Sequence, residues 1–404
     1  MTAPVAAPPG GPAERPPRRE IPRQAEDYTG AAARRRLEFL TETTGVTPEH
    51  LGRYSFDPAV LDGNIENFIG VAQVPVGIAG PLLVDGEHAR GTFYVPLATT
   101  EGALVASYSR GMKLLYAAGG VRTTVVAEAM QRAPAFGFDS AREARAFGGW
   151  LTANFADIKA AAEASTHVGR LHDIEQYPAS RYLFLRFDYT TGDAAGQNLT
   201  GKATLRACDW IRAHYPGIRE FCLEANLATD KKSSQVNMLR TRGKRVVAEA
   251  TIPAGLVRGV MHTSPGQMFR ARQVSNLGGL LAGAGGNANH PANAVAALFA
   301  ATGQDIANVA ESSAALVHTE LLADGSYYYS ITIPALIVAT YGGGTGLPTQ
   351  RECLELLGCY GPGRVRKFAE IVAATVLCGE LSLGAAVVAD EWVTAHERFG
   401  RNRP

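Results

Sequence analysis

The sequence predicts an α+β fold: a large mixed helical and sheet domain, interrupted by an inserted βαββαβ unit in the ferredoxin-like arrangement. Three observations predict it. "RYLFLRFDYTTG" (181–192) alternates with period two, putting Leu183, Leu185, Phe187 and Tyr189 on one strand face. Helical stretches lie on either side of it, "SAREARAFGGWLTANFADIKAAAEA" opened by Ser140 and "GQNLTGKATLRACDWIRAHY" after it. Strand-like "VRTTVVAEAMQRAPAFGF", "THVGRLHDIE" and "GIREFCLEANL" complete the order across 121–224.

The remaining elements follow in order. Residues 1–25 hold seven prolines and several arginines, the composition of a disordered arm. Residues 26–66 form a small helical region, in which "AAARRRLEFLTETTG" reads as a helix closed by Gly45. "ENFIGVAQVPVGIAGPLLVDG" begins the large domain, with a hairpin at Asp85-Gly86. That domain takes in 67–120 and 225–385. It includes the strand "KRVVAEATIP", a helix opened by Ser264-Pro265, the small-residue stretch 276–305 and a hairpin at Asp324-Gly325. A C-terminal helix and mobile tail occupy 386–404.

Composition narrows the function. A net charge of +1 leaves no footprint for nucleic acid. The five cysteines show no zinc-like pairing and the nine histidines form no cluster, so no metal site is expected. The odd thiol count, the lack of an opening apolar segment and the interruption of the apolar 371–389 stretch by Glu380 point to a cytoplasmic protein away from membrane.

Several short segments carry chemistry-bearing groups. In "LATTEGALVAS", Glu101 stands among small and apolar neighbours, which suits either a proton donor of raised pKa or the first turn of a helix capped by Thr99 or Thr100. "TTGDAAGQN" (190–198) joins strand to helix and offers N–H groups to a phosphate, or is a plain turn. "YGGGTGLPTQ" (341–350) is a second glycine loop with the same two readings. "LATDKKSSQ" sets Lys231 beside Asp230 and Lys232, where a lysine can stabilise an oxyanion or simply face water. Asp305, after a helix of small residues, needs a cationic partner or caps the next helix. His396 shares a helix face with Val388 and Trp392, either as a proton donor or as a surface residue.

Taken together, "ENFIG…PVGIAGPL", "ATTEG", "DAAGQN", "ATDKK", "GQD" and "GGGTGLP" resemble, in order from about residue 60 to the end, the 3-hydroxy-3-methylglutaryl-coenzyme A reductase family in its NADPH-using, soluble microbial form. The resemblance implies reduction of the acyl thioester to mevalonate and free coenzyme A by two hydride transfers from NADPH, with Glu101, Lys231, Asp305 and His396 as catalytic residues. It implies cofactor contacts from Asp193, Ala194, Gly196, Gln197, Asn198, Gly343, Gly344 and Thr345. Substrate contacts would come from Glu66, Asn67, Arg132, Asn226, Asp230, Lys232 and Asn293. The insert would hold NADPH, the large domain the thioester, and the site would form between two copies of the chain. Two positions depart from the family pattern: Glu224-Ala225-Asn226 stands where Ser/Thr-Gly-Asn is usual, and Ser275 stands where a lysine is usual. They keep open a reductase for a different acyl thioester or a non-catalytic acyl-coenzyme A binder, and Arg272 is a cation that could compensate.

Overall fold

The computed structural model describes residues 19–391, 393 and 397. The chain divides after Gln73 into two units, seven residues beyond the boundary read from sequence.

In the first unit, helix α1 (Gly30–Thr44) is opened by the Thr29 side chain, which accepts from the Ala32 N–H, and closed by Gly45 at φ 73°. Arg36 is buried, and its guanidinium donates to the carbonyls of Pro22 and Phe68, tying both flanking segments to the helix. Tyr54 packs its ring against Phe56 in a tilted arrangement and against Phe68 edge to face.

The second unit is built on one twisted sheet. β1 (Val76–Gly86) and β2 (Arg90–Ala98) form the expected hairpin, followed by α2 (Leu104–Ala117), β3 (Val121–Arg132) and β4 (Ala135–Gly137). Next come α3 (Ala141–Ala153) and α4 (Phe155–Glu163), one helix in the sequence reading but divided here at Asn154, whose side chain turns back to donate to the Trp150 carbonyl. β5 (Arg170–Ala179), β6 (Tyr182–Thr190), α5 (Gln197–His214) and β7 (Glu220–Cys222) follow. The rest of the chain runs α6 (Gln235–Leu239), β8 (Gly243–Ile252), α7 (Ala254–Met261), α8 (Pro265–Leu281), α9 (Pro291–Thr302) and α10 (Val309–Ser312). It finishes with β9 (Leu316–Leu321), β10 (Tyr327–Leu336), α11 (Pro348–Leu356) and α12 (Val365–Val388).

The strands order as β2-β1-β3-β8-β10-β9, with β1 and β3 parallel and the other pairs antiparallel. The far end of β3 crosses to a second set ordered β5-β6-β4-β7, all antiparallel. Residues 122–129, placed in the insert by the sequence reading, pair with β8 of the first set. A separate core of Phe136, Phe147, Leu151, Leu185, Phe187 and Ile211 lies on the second set.

Helix α12 is the axis of the larger core. It is long and apolar enough to cross a membrane, yet most of it is buried within the fold, packed against α2, β8 and α9. A Cβ on Gly111 of α2 would overlap the Cys378 carbonyl, so glycine there permits the close helix approach. Two buried carboxylates on α12 serve distant backbone. Glu370 accepts from the N–H groups of Glu87, His88 and Ala89 in the β1–β2 turn, and Glu380 from those of Asn289 and His290 before α9.

Candidate active site

The Asp230–Lys232 segment is the centre of the site. Asn226, Thr229 and Lys231 have φ of 68°, 61° and 56°, three non-glycine residues in the left-handed region within six positions. Such strain persists only where the surroundings hold it, and it gathers at functional loops. Here the Thr229 hydroxyl donates to Asn237 Oδ1 at 2.6 Å, and Asn237 Nδ2 to the Lys232 carbonyl.

Asp230 is the main anchor. It accepts from Arg242 Nη2 at 2.6 Å, Gln197 Nε2 at 2.7 Å and Arg132 Nη1 at 3.3 Å. Burial works to raise its carboxyl, but Arg242, Gln197 and Arg132 outweigh it and hold the pKa below the ordinary range. Arg242 is wholly buried and donates Nε to Glu311, also wholly buried, at 2.8 Å. Burial pushes the Glu311 carboxyl up to about 7, against the pull of Arg242. Neither Arg242 nor Glu311 was legible in sequence: Arg242 stands in "RTRGKR", which reads as a surface charge run, and "AESSA" gives Glu311 no pattern.

Above this base, Lys231 Nζ lies 2.9 Å from Asp305 Oδ2, with each side chain over two-fifths exposed. Asp305 also accepts from the Ala307 N–H, so both readings of that residue hold at once. An exposed pair of this kind adds little stability, about 1 kcal/mol at most. Its presence on a strained loop is better matched to chemistry: a fixed ammonium open to a ligand can hold an oxyanion.

The other segments assemble around it unevenly. Gln197 joins the first glycine loop to the Lys231 loop through Asp230 and also donates to Asn308, while its carbonyl accepts from Arg132. Asp193 turns away, accepting from the N–H groups of Gly363, Arg364 and Val365 at the start of α12. Gly196 has φ 86° and lies against Thr191, and α5 begins there without a side-chain cap. Asn198, in the first turn, is exposed, and the Ala194 carbonyl accepts from Thr191. In the second glycine loop, Gly344 is pressed on Gly303 of the "GQD" segment, Gly343 is exposed at φ 57°, and the buried Thr345 donates to the Gly342 carbonyl. Asn293 lies in the first turn of α9, Asn226 is exposed, and Lys232 donates to the Asp230 carbonyl. Glu66 and Asn67 belong to the first unit, where Glu66 is exposed and Asn67 has φ 53°. His396 lies outside the described residues.

Glu101 differs from its expectation. α2 begins only at Leu104, behind Ala103 at φ 69°, and Thr99 accepts from the Glu101 N–H instead of capping the helix. Glu101 therefore sits in an exposed turn, and among the described residues nothing joins it to Lys231 or Asp305. Two carboxylate clusters have metal-like spacing, but Glu370 of one is taken up by backbone N–H groups and Glu175 of the other by Arg186 and Arg240.

A family model described as hydroxymethylglutaryl-coenzyme A reductase matches residues 32–401. The chain belongs to this family. The 3-hydroxy-3-methylglutaryl-coenzyme A reductase of Pyrococcus abyssi is 43% identical over 391 residues, covering 94% of this chain and 96% of that protein. The enzyme of Methanothermobacter thermautotrophicus is 43% identical over 373 residues, covering 92% and 94%. Among solved structures, the NADPH-bound class II reductase of Streptococcus pneumoniae shares the fold at a TM-score of 0.65 and 20% identity, covering 88% of this chain and 97% of that one. For a hydroxymethylglutaryl-coenzyme A reductase family member, the two departures read from sequence now have positions. The Glu224 carboxylate lies 3.7 Å from Arg132 and accepts from the Asn226 N–H. Ser275 donates to Asn289 on the wall of a separate cavity.

Proposed function

We propose that this chain reduces 3-hydroxy-3-methylglutaryl-coenzyme A to mevalonate and free coenzyme A with NADPH. The observation that carries the reading is the Lys231–Asp305 pair on a strained loop whose anchor, Asp230, is bonded to Gln197 of the first glycine loop. The family membership supplies the reaction. NADPH suits the residues present, because α5 starts at a glycine with no side-chain cap and no acid in its first turn, leaving N–H groups for a phosphate. When bound, it supplies the hydrides.

The chain's own residues do the rest. Lys231 Nζ holds the oxygen as negative charge develops, and Asp305 keeps the ammonium in place. Glu101 donates a proton to the aldehyde oxygen, and His396 one to the leaving thiolate. The exposure of Glu101 supports a site completed by a second copy, with Glu101 facing the partner's cofactor-side loops. We read the second strand set, order β5-β6-β4-β7 with its own core, as a ferredoxin-like insert holding NADPH, and the remainder of the second unit as the thioester domain. Five free thiols suit a cytoplasmic setting.

The test is nicotinamide absorbance with purified chain, the thioester and NADPH, run across sedimentation fractions. Oxidation of NADPH that disappears in Lys231→Ala is expected in the oligomer alone. Absence of oxidation sinks the reading, and an active monomer sinks the shared site. The Glu224–Arg132 contact favours one other reading, an acyl group without a second carboxylate, which a panel of acyl-coenzyme A thioesters separates.

A further inference from the structure

The segment from Asp305 to Ser312 carries polar side chains at three-residue intervals, Asp305, Asn308 and Glu311. Ile306–Asn308 is a 3₁₀ turn that runs directly into α10, and in such a turn residues three apart lie one above the other. Each of the three holds a different element. Asp305 pairs with Lys231 at 2.9 Å. Asn308 is buried and exchanges hydrogen bonds with the Gln197 amide: its Oδ1 accepts at 3.0 Å and its Nδ2 donates at 3.4 Å. Glu311 is wholly buried and accepts from Arg242 Nε at 2.8 Å.

The last two contacts lead back to the lysine loop. Gln197 and Arg242 both donate to Oδ1 of Asp230, the residue before Lys231, at 2.7 and 2.6 Å. The remaining nitrogen of Arg242, Nη1, donates to the Gln131 carbonyl, so each nitrogen of the fork has its own partner and the group is fixed in orientation. The backbone N–H of Lys231 itself favours the charged form of Glu311. One short segment thus grips Lys231 twice. Asp305 takes the ammonium, and Glu311, through Arg242 and Asp230, takes the backbone that holds it at φ 56°. Stability is a poor reason for the lower grip, because the desolvation of a buried ion pair offsets its attraction and apolar groups of the same volume serve as well. What the pair supplies is direction, which an apolar contact lacks.

We propose that Glu311 is a positioning residue for the reduction: acting through Arg242 and Asp230, it sets where the Lys231 ammonium meets the developing oxyanion. The role rests on the reductase reading above, whereas the grip on Lys231 can be measured without it.

Brief labelling of the native chain with acetic anhydride, which needs neither NADPH nor thioester, reads the grip. The quantity is the rate at Lys231 relative to Lys202, an exposed lysine of α5, measured by mass spectrometry. Glu311→Ala should raise this ratio about two- to five-fold, the strength of the exposed Lys231–Asp305 pair that it loosens, and Asp305→Asn sets the upper mark. In the same variant kcat should fall about 10- to 100-fold with KM within about three-fold of the parent, because a misplaced group costs most in the transition state. Glu311→Gln keeps an acceptor for Arg242 and should restore part of both. An unchanged ratio in Glu311→Ala, or a raised ratio with kcat unchanged, overturns the proposal. Removing Glu311 leaves Arg242 buried without its counter-charge. If Glu311→Ala does not fold, Glu311→Gln decides: a ratio about twice the parent's is expected, and the parent's ratio overturns the proposal. A raised ratio in these variants, when the parent oxidises no NADPH, would sink the reductase reading and leave the grip of Glu311 on Lys231 standing.

Discussion

Asp305 shows how one residue carries two jobs that sequence could name but not combine. It caps the short turn at Ala307 with one oxygen and holds Lys231 with the other. Asp305→Asn keeps the capping oxygen and removes the counter-charge. We expect kcat to fall by about 10²- to 10³-fold while the unfolding free energy stays within about 1 kcal/mol of the parent, because an exposed pair contributes little to stability. Steady-state kinetics beside a melting curve would check it, and a large loss of stability with unchanged kcat would make the residue structural. Lys231 and Asp305 were legible because they stand in short, distinctive segments. For Glu101 the sequence suggested an apolar surrounding or the first turn of a helix, whereas the structure leaves it exposed ahead of α2. The residue types allowed a cap at Thr99 or Thr100, and the left-handed turn at Ala103 that delays the helix has no local signature.

At the scale of elements, the first glycine loop is the instructive case. From sequence it offered itself to a phosphate. Only its helix end lacks a side-chain cap, since the Asp193 carboxylate is bound to the first N–H groups of α12, some 170 residues further on. A partner so distant leaves no trace in a window of sequence, whereas caps such as Ser140, Ser264 and Gly45 act within four residues and were read directly. Asp193→Ala should therefore cost about 0.5–2 kcal/mol of stability through the lost cap. Its effect on NADPH should be smaller than that of shortening Gln197, which is bonded to Asp230. Denaturant unfolding and NADPH titration of the two variants would separate the roles; a stable Asp193→Ala chain that no longer binds NADPH would reverse the assignment.

For the molecule as a whole, buried acids set how stability changes with pH. Burial lifts the Asp188 carboxyl to about 6, above its ordinary 3.8, with Gln131 and Arg186 pulling the other way. The folded chain thus keeps a proton that the unfolded chain releases. This contribution is full below about pH 4 and is lost as pH rises through about 6. Asp188→Asn keeps the shape and never ionises. It should melt with the parent near pH 4 and about 2 °C or more above it at pH 7, read by melting temperature across that interval. Equal midpoints at both ends would refute the shift. The alternation of strands and helices was legible at this scale. The crossing of β3 from one strand set to the other was not, because nothing in "VRTTVVAEAM" marks the residue at which one neighbour is exchanged for the other.

Helix α12 is held at its start by Asp193, along its length by Glu370 in the β1–β2 turn, and further on by Glu380 in the segment before α9. It thus works like the spindle of a lock, with the Asp193 loop, the β1–β2 turn and the segment before α9 keyed to the same shaft. None can slide along that shaft alone. A shift of the helix along its axis would therefore strain all three attachments at once.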